Sequence, residues 1–240
     1  MNSNKHSNHL LFFLLTLLLA SARADVPGYT EPYKTITVSA AETGVISEVL
    51  VEEGAHVKKD QVLAKLDTAL LVAELDIAKA TTELQKTKVQ RLEDLTKTQR
   101  AATEELDRAR TDLKIREAEK RKIEAAIETR TMRSPVDGIV TEVKRDPSEA
   151  VSLSNPHVLT VVQIDRLLVN LFLIPARAAK LKVGDTVPLL LGDEATTRVI
   201  GTIEFISPII DAASGTVRVK FVLENKDFAI RSGAVARLAE

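Results

Sequence analysis

The hydrophobic and polar positions of this chain follow three patterns in succession. Residues 34–67 and 132–165 hold short apolar runs separated by polar turn residues, which is typical of β-strands. The intervening residues 68–131 contain neither Gly nor Pro, and their apolar positions recur at alternating spacings of three and four. That spacing is typical of a coiled coil. Short strand patterns return from residue 166 onward, so the expected fold is mainly β with a long helical insert.

The two β segments open on near-copies of one another. GVISEV spans Gly44–Val49 and GIVTEV spans Gly138–Val143, so the copies are 94 positions apart (138 minus 44). Neither segment alone is long enough to bury a core. We therefore expect the segments to be two halves of one domain, which pair with each other and are interrupted by the helical insert.

The helical insert must fold back on itself if the two halves pair. A continuous helix over this stretch would hold its ends about 95 Å apart at 1.5 Å per residue. We expect instead an antiparallel coiled-coil hairpin with arms Thr68–Thr96 and Thr103–Thr131, joined by KTQRAA at Lys97–Ala102. Thr103 is expected to cap the second arm. The apolar residues predicted for the seam are Leu71, Leu75, Ala78, Val89 and Leu92 on the first arm, and Ala102, Leu106, Ala109, Leu113, Ile123 and Ile127 on the second; Thr82, Gln85, Arg116 and Lys120 are polar breaks in it.

Residues 166–240 are expected to form a small antiparallel β-barrel. Short strand patterns alternate there with Gly-containing turns. The stretch GTVRVKFVL alternates most clearly, with Val217, Val219, Phe221 and Leu223 on one face.

The first 24 residues resemble a secretory signal peptide. Lys5 precedes the apolar run LLFFLLTLLLA at Leu10–Ala20, and small residues at Ala22 and Ala24 form an A-x-A site. The alternative is a retained membrane anchor, although the run is shorter than the roughly 20 residues that span a bilayer. We expect cleavage after Ala24 and a periplasmic protein.

Composition narrows the classes of function. The 240 residues carry a formal net charge of −1, and 3% of them are aromatic, with no Trp. A nearly neutral chain without aromatic stacking platforms is not expected to bind nucleic acid. The chain has no Cys, so its stability as an exported protein must come from its core rather than from disulfides.

The sequence also predicts no catalytic, cofactor-binding or metal-binding site. After residue 24 the candidate ligands are His56, His157 and Met132, and neither His lies in a ligand-spaced motif. No Ser-His-Asp arrangement or Gly-rich phosphate loop stands out. We therefore expect a protein that is not an enzyme and that needs no cofactor.

Three stretches resemble the periplasmic adaptors, or membrane fusion proteins, of tripartite efflux pumps of the resistance-nodulation-division (RND) type. They are GVISEVLVEEGAHVKKDQVLAKLD, RSPVDGIVTEV and FISPIIDAASGTVRVKFVLEN. The resemblance implies that the first two are halves of a lipoyl-like (barrel-sandwich hybrid) domain split by the hairpin, and that the third lies in the β-barrel. It implies an adaptor that links an inner-membrane transporter to a TolC-type outer-membrane channel for export of small molecules. Copies would associate into a ring, peripheral to the inner membrane through partner proteins.

The resemblance also assigns residues. In the family the hairpin tip docks on the channel through Arg, Leu four positions on and Ser seven further on. Those positions here are Arg91, Leu95 and Ala102, with Thr103 next to the missing hydroxyl. Structural turn positions are expected at Gly44, Gly54, Asp60 and Gly138, with Asp60 where the family usually has Gly.

Other interpretations remain open. Many family members continue into a membrane-proximal domain, which we expect to be absent here. An adaptor of an ABC-type exporter or of a type I secretion system would share the same architecture. A biotinyl or lipoyl carrier is a more distant alternative, because a carrier presents its modified Lys on a tight hairpin where this chain has the coiled coil. Lys65 is the nearest candidate for such a Lys.

Overall fold

The computed structural model describes residues 25–192 and 197–239, so the predicted signal peptide lies outside the described residues. The chain forms two compact units. The hairpin unit is Lys34–Gln163, and the barrel unit consists of the described residues up to Tyr33 and from Ile164 onward. Two long strands, β1 (Gly28–Ser39) and β8 (His157–Leu173), contribute residues to both units.

The hairpin unit contains six short strands besides these two. One sheet has the order β5-β4-β2-β7, and in a second group β6 lies between β3 and β8. The two near-copies of the sequence are β2 and β6. The bounds are β2 (Gly44–Val49), β3 (His56–Val57), β4 (Val62–Leu66), β5 (Thr131–Arg133), β6 (Gly138–Val143) and β7 (Ala150–Val151).

The two halves pair by exchanging strands, as the repeated hexapeptide predicts. In β2, Gly44 faces Val151 of β7, and in β6, Gly138 faces Val57 of β3. Both partners lie 94 positions apart, like the copies themselves (151 minus 57). Because each copy is completed by a strand from the other half, neither half is a folding unit alone.

The equivalence extends to irregular backbone. The amide of Ile46 donates to the carbonyl of Glu149 at 2.8 Å, and the matching amide of Val140 donates to the carbonyl of Ala55 at 3.0 Å. Pairing with the next strand skips one residue after Ile46 and one residue after Val140. A β-bulge of this kind increases strand twist. Ile46 and Val140 are both buried in the shared core.

Gly44 and Gly138 are the first residues of strands, so their assignment to turns was wrong. What they require is space. A Cβ on Gly138 would lie 2.4 Å from the carbonyl oxygen of Val162, whereas a Cβ on Gly44 would approach only the terminal methyl of Leu66, at 3.2 Å.

Gly54 and Asp60 do lie in turns with left-handed backbone. Their φ angles are 86° and 65°. Asp tolerates this conformation better than most residues because its short side chain can hydrogen-bond locally. Ser148, which corresponds to Gly54 in the second half, has a φ of 73°.

The helical insert is a hairpin. Helix α1 (Ala69–Lys97) has 29 residues and helix α2 (Thr103–Thr129) has 27, so each is about 40 Å long. Apolar residues every three or four positions face the other helix. Five seam residues are buried: Ala78, Val89, Leu92, Leu106 and Ala109. The other predicted apolar seam residues are half-buried except Ala102, which is exposed.

The barrel unit is a closed antiparallel barrel of six strands. Its order is β1-β12-β9-β10-β11-β8, and β1 pairs with β8 to close it. The sequence did not predict that residues before Lys34 take part, yet Gly28 and Tyr29 pair with Ala236 and Val235. The remaining bounds are α3 (Pro175–Ala178), β9 (Thr186–Leu191), β10 (Thr197–Ile210), β11 (Val217–Glu224) and β12 (Val235–Leu238).

Buried and exposed side chains alternate along β11, and the buried ones form part of the barrel core. Val217, Val219, Phe221 and Leu223 are all buried, and Arg218 between them is exposed. The strand period of two therefore sends these four side chains to the inside, as predicted.

A carboxylate fixes the turn between β10 and β11. One oxygen of Asp211 accepts bonds from the amide of Ser214 at 2.7 Å, from the Ser214 hydroxyl at 2.8 Å and from the amide of Ala213 at 3.1 Å. The bonds from Ser214 lower the pKa of Asp211 most, that from Ala213 lowers it further, and partial desolvation opposes them.

Replacing Gly138 with Ala is expected to destabilise the protein, because the new methyl group would collide with the backbone of β8. We expect a loss of about 1–3 kcal/mol, and each kcal/mol lowers the Tm by about 2–4 °C in a chain of this size. Gly44→Ala is the matched control, since only a side-chain methyl must move. Equal Tm values for the two variants would contradict this account.

Asp211→Asn is expected to make stability less dependent on pH. The lowered pKa means that the wild-type carboxylate stabilises the fold above its unfolded-state pKa of about 4 and that this contribution is lost as pH falls through the folded-state pKa. Denaturant unfolding between pH 6 and pH 3, a range of about one unit or more on each side of the ordinary Asp pKa, would measure the difference. Parallel stability curves for the wild type and the variant would show that the turn gains nothing from the charge.

Candidate functional site at the hairpin tip

The end of α1 is closed by a Schellman motif. The amide of Gln99 donates to the carbonyl of Thr96 at 3.0 Å, and the amide of Arg100 donates to the carbonyl of Leu95 at 2.8 Å. Gln99 has a φ of 57°, the left-handed conformation that this motif needs at its turning residue. Glycine normally fills that position, so Gln99 holds the turn at some cost in strain.

The start of α2 differs from the prediction. Ala102, with extended backbone, is the N-cap residue and has no side-chain capping bond, while Thr103 is already the first helical residue. Thr103 therefore does not cap the helix. Glu104 and Glu105 lie in the first turn, where negative charge is favourable to the helix dipole.

The seam directly behind the tip is the best buried part of the hairpin. Val89, Leu92, Leu106 and Ala109 form a cluster, against which Ala101 and Leu113 pack. Ala101, not Ala102, therefore extends the seam into the loop. Ala102 is the extended N-cap residue that precedes the helix, and it is exposed.

Polar contacts across the helices support this cluster. The side-chain amide of Gln85 donates to the carbonyl of Ala109 at 2.9 Å, so this polar break in the seam is a link between the helices. Arg110 and Glu93 form an ion pair at 2.8 Å. The loop is thus presented on a fixed base.

The four residues predicted for docking lie around this loop. Arg91 is exposed and Leu95 is half-buried, one helical turn nearer the tip on the same face of α1. Ala102 and Thr103 are exposed at the other end of the loop. The fold thus brings Leu95 and Ala102 to the two sides of one five-residue connection, and Arg91 lies about 6 Å farther from the tip than Leu95.

The charged and polar groups among these four are available for outside contacts. Within the described residues, neither the guanidinium of Arg91 nor the hydroxyl of Thr103 makes a hydrogen bond or an ion pair. An exposed guanidinium offers several donors in a rigid fork to a carboxylate or carbonyl. Together with the apolar Leu95, it provides a contact that suits another protein surface.

Arg100 is a further exposed residue at this tip, and the sequence interpretation did not single it out. Its side chain has no hydrogen bond or ion pair inside the part of the chain that the structure describes. Its position in the loop was the available signal. Nothing in the sequence indicated the left-handed conformation of Gln99, because Gly or Asn normally occupies such a position.

Candidates for other chemistry are occupied by ordinary contacts. Lys65 lies on β4 and pairs with Glu48 at 3.2 Å, and His157 lies 3.0 Å from the hydroxyl of Thr160. Across the described ranges no group of three or more His, Cys, Asp or Glu side chains could hold a metal ion. No helix within those ranges is both long enough and apolar enough to cross a membrane.

Comparisons with protein families match both units. Residues 35–163 match the family described as "YknX, barrel-sandwich hybrid domain". Residues 169–239 match "CusB-like, beta-barrel domain". The first match covers more than half of the chain.

Curated relatives cover nearly the whole chain but extend beyond it. The multidrug/solvent efflux pump periplasmic linker protein MepA of Pseudomonas putida is 25% identical over 224 residues, which are 88% of this chain and 58% of the relative. The multidrug resistance protein MdtE of Escherichia coli K12 is 26% identical over 229 residues, 84% of this chain and 60% of the relative. This chain therefore spans less than two thirds of the length of these relatives.

A solved structure shares the fold. It is a MacA-MexA chimeric protein that contains the α-hairpin domain of Pseudomonas aeruginosa MexA, with a TM-score of 0.73 and 20% sequence identity. The match covers 89% of this chain and 79% of that one. It confirms the predicted fold class of a barrel-sandwich hybrid domain, a helical hairpin and a β-barrel.

Gln99→Gly is expected to stabilise the hairpin by about 1 kcal/mol, because Gly adopts the left-handed conformation without the penalty of a Cβ. Thermal unfolding would show the gain. Gln90→Gly is the matched control: Gln90 is exposed inside α1, where Gly costs about 0.8–1 kcal/mol. A loss of stability in both variants would show that Gln99 is not strained.

Proposed function

Since this chain belongs to the membrane fusion protein family of periplasmic adaptors, of the type found in RND efflux pumps, we propose that it links an inner-membrane transporter to a TolC-type outer-membrane channel. In that role it supports the export of small molecules. It acts by assembly, without enzymatic chemistry and without a cofactor. The similarity to efflux-pump linkers does not favour the alternative role, an adaptor of an ABC-type exporter or a type I secretion system, over this one. A biotinyl or lipoyl carrier would need an unpaired Lys on a tight hairpin, but Lys65 lies on a strand and pairs with Glu48.

The anchoring of the hairpin carries this proposal. Strands β4 and β5, which precede and follow the two helices, are direct neighbours, with Ala64 opposite Met132. The amide of Leu66 donates to the carbonyl of Arg130 at 2.9 Å. A rod about 40 Å long with both ends fixed in one sheet suits a protein that must reach a distant partner.

Arg130 strengthens the base of the rod. Its guanidinium donates to the carbonyl of Asp67 at 2.7 Å and pairs with Glu42 at 3.1 Å. These contacts join the end of α2 to the residues just before α1 and to the loop between β1 and β2. The rod is therefore held at its base by side chains as well as by the sheet.

The tip is the proposed contact with the channel. Leu95 would supply an apolar contact and Arg91 a charged one, with Ala102 and Thr103 on the opposite side of the loop. Ala102 lacks the hydroxyl of the Ser that the family has at this position, and the hydroxyl of the adjacent Thr103 would serve as the hydrogen-bond donor in its place. Several copies would surround the channel as a ring, in the periplasm and peripheral to the inner membrane through the transporter, after cleavage of residues 1–24.

The first test is cross-linking from the tip in intact cells. A Gln99→Cys variant, in a chain without native Cys, is expected to cross-link to an outer-membrane channel. Lys86→Cys is the matched control, because Lys86 is exposed on α1 about 20 Å from the tip. Capture of the channel by Lys86→Cys alone, or by neither variant, would contradict docking through this tip.

Tip substitutions should then weaken the same cross-link. Arg91→Glu is expected to reduce the yield about tenfold or more, since a reversed charge in a contact costs more than 1.4 kcal/mol, and to raise sensitivity to pump substrates. Lys88→Glu, an equal charge change on an exposed residue nearby, is the control and should keep most of the yield. Ala102→Ser should keep or increase it. Equal yields from Arg91→Glu and Lys88→Glu would exclude a specific role for Arg91.

A further inference from the structure

One end of the barrel is defined by the start of β1. Neighbouring strands around the barrel are antiparallel, so β1, β9 and β11 begin at this end, and β12, β10 and β8 finish there. It therefore carries residues 174–185, which connect β8 to β9, and residues 211–216, which connect β10 to β11. We call it the β1 end.

The two connections lie side by side. Strands β8 and β9 flank β10 and β11 in the barrel, so the connection between β8 and β9 passes the ends of both. The amide of Gly184 donates to the carbonyl of Ile203 in β10 at 2.8 Å, and Ala178 packs in the barrel core. The connection is thus held against the barrel rather than projecting from it.

Three large apolar residues are exposed at the β1 end. Val183 in the first connection is 64% exposed, and Ile209 and Ile210 at the end of β10 are 72% and 54% exposed. A single exposed apolar residue is ordinary. Three at one end of a small barrel form a surface that suits a partner able to take up apolar groups.

Basic side chains accompany these apolar residues. Lys180 and Lys182 lie just before Val183 and are exposed, and Arg237 near the end of β12 is exposed as well. Within the described ranges none of these three side chains has a hydrogen bond or an ion pair. A lysine carries its charge on a long apolar stem, so it can place the ammonium among phosphate groups while the stem contacts apolar surface.

The acidic groups described at the β1 end all have partners. Asp185 accepts a bond from the amide of Lys182 at 3.0 Å, Asp211 accepts the bonds of its own turn, and Asp25 pairs with Arg177. The charged side chains without any partner in this part of the structure are therefore basic. Such a surface is complementary to an anionic one.

The start of the described chain is bound at the same end. One carboxylate oxygen of Asp25 accepts a bond from the amide of Ile174 at 2.9 Å, and the other pairs with the guanidinium of Arg177. The amide of Val26 donates to the carbonyl of Phe172 at 3.0 Å. Asp25 is therefore fixed beside the connection that carries Lys180 and Lys182.

The sequence has an apolar run close before this fixed point. Ala20, the last residue of LLFFLLTLLLA, is five residues before Asp25, so the chain between them reaches at most about 18 Å. The headgroup region on one side of a bilayer is roughly 5–8 Å thick. While the run is in the inner membrane, the β1 end must therefore lie at or near the membrane surface.

We propose that the β1 end of the barrel binds the surface of the inner membrane directly. Lys180 and Lys182 contact anionic phospholipid headgroups, and Val183, Ile209 and Ile210 enter the interfacial region. Apolar burial and attraction to anionic lipid together set the affinity of such a peripheral contact. The inference goes beyond the proposed docking on a channel, because it gives the adaptor a contact with the membrane that needs no transporter.

A lipid surface is the partner that the chain favours. The short reach from Ala20 brings the β1 end to a bilayer before the chain is released from it. The contact forms while residues 1–24 hold the chain there, and it persists after their removal.

Vesicle flotation tests the contact. The exported chain, with the loss of residues 1–24 checked by mass, is expected to float with vesicles of phosphatidylglycerol and phosphatidylethanolamine at least about tenfold better than with phosphatidylcholine vesicles. Raising the salt from about 0.1 M to about 1 M should release it, since the Debye length falls from about 10 Å to about 3 Å. Equal recovery on both kinds of vesicle, or recovery on neither, would overturn the proposal.

Charge reversal locates the contact. Lys180→Glu with Lys182→Glu is expected to lower binding to the anionic vesicles about tenfold or more, because two favourable charges become unfavourable. Arg198→Glu with Lys226→Glu is the matched control: both residues are exposed, the change in charge is equal, and they lie at the start of β10 and just after β11, toward the other end of the barrel. Thermal unfolding checks that both double variants fold. Equal losses of binding would exclude the β1 end as the specific contact.

A chain without Trp allows a reporter of insertion. Ile209→Trp is expected to shift its emission to shorter wavelength with the anionic vesicles and to be quenched by brominated lipid, because indole rings settle in the interface. Ile200→Trp, at a position inside β10 that is 60% exposed, is the control and should show neither change. An unchanged spectrum of Ile209→Trp would show that the apolar residues stay outside the bilayer, contrary to the proposal.

A protein partner at the same surface is the alternative outcome. Val183→Cys labelled with a photoreactive benzophenone, in a chain without native Cys, is expected to form a phospholipid adduct in intact cells, identified by its mass. Adducts with a membrane protein alone would assign the β1 end to that protein and overturn the lipid contact. Capture of a channel by Gln99→Cys is independent of this result, so the docking proposal and the membrane proposal fail separately.

Discussion

The pairing of β4 with β5 is the contact on which the hairpin unit depends. It brings together two segments separated by the whole helical insert, and it fixes where both helices leave the sheet. Chain connectivity then requires the insert to reverse direction at its middle. The two halves also exchange a strand in each direction, since β7 pairs with β2 and β3 pairs with β6. A repeated strand sequence is therefore the means by which a small β-domain holds a long projection.

The hairpin itself is weakly packed compared with its anchor. Its buried cluster is confined to the region near the tip, and most seam residues toward the base are half-buried. A helix pair of this kind gains most of its stability from tertiary contacts rather than from helix propensity. The fixed base and the polar links through Gln85 and Arg110 hold the tip, while Leu70, Ile77 and Leu84 of α1 leave apolar surface exposed between base and tip. A hairpin that is held at its base and near its tip, with exposed apolar residues between them, suits a subunit of a larger assembly.

The local sequence pattern predicted much of this fold, whereas strand pairings between residues far apart in the chain could not be predicted from it. The repeat GVISEV/GIVTEV and the period of the insert led to the strands and the hairpin because both signals lie within short stretches. The role of Tyr29 opposite Val235 left no local signal, since the pairing joins residues some 200 positions apart. The cap of α2 was predicted one residue too late, at Thr103, because Ser and Thr are favoured at caps, yet the N-cap residue is Ala102. The tip residues came from resemblance alone, because an exposed Arg and a half-buried Leu look like any helix surface.

The closure of the barrel by its first strand has a consequence for the order of folding. Gly28 and Tyr29 pair with residues of β12, so β1 cannot complete its pairing until β12, some 200 residues later in the chain, is present. The hairpin unit, whose residues lie between these strands in sequence, can assemble while the barrel still has unpaired edges. Unpaired strand edges invite association with other chains. The barrel is therefore the unit whose strand edges wait longest for their partners as the described chain folds.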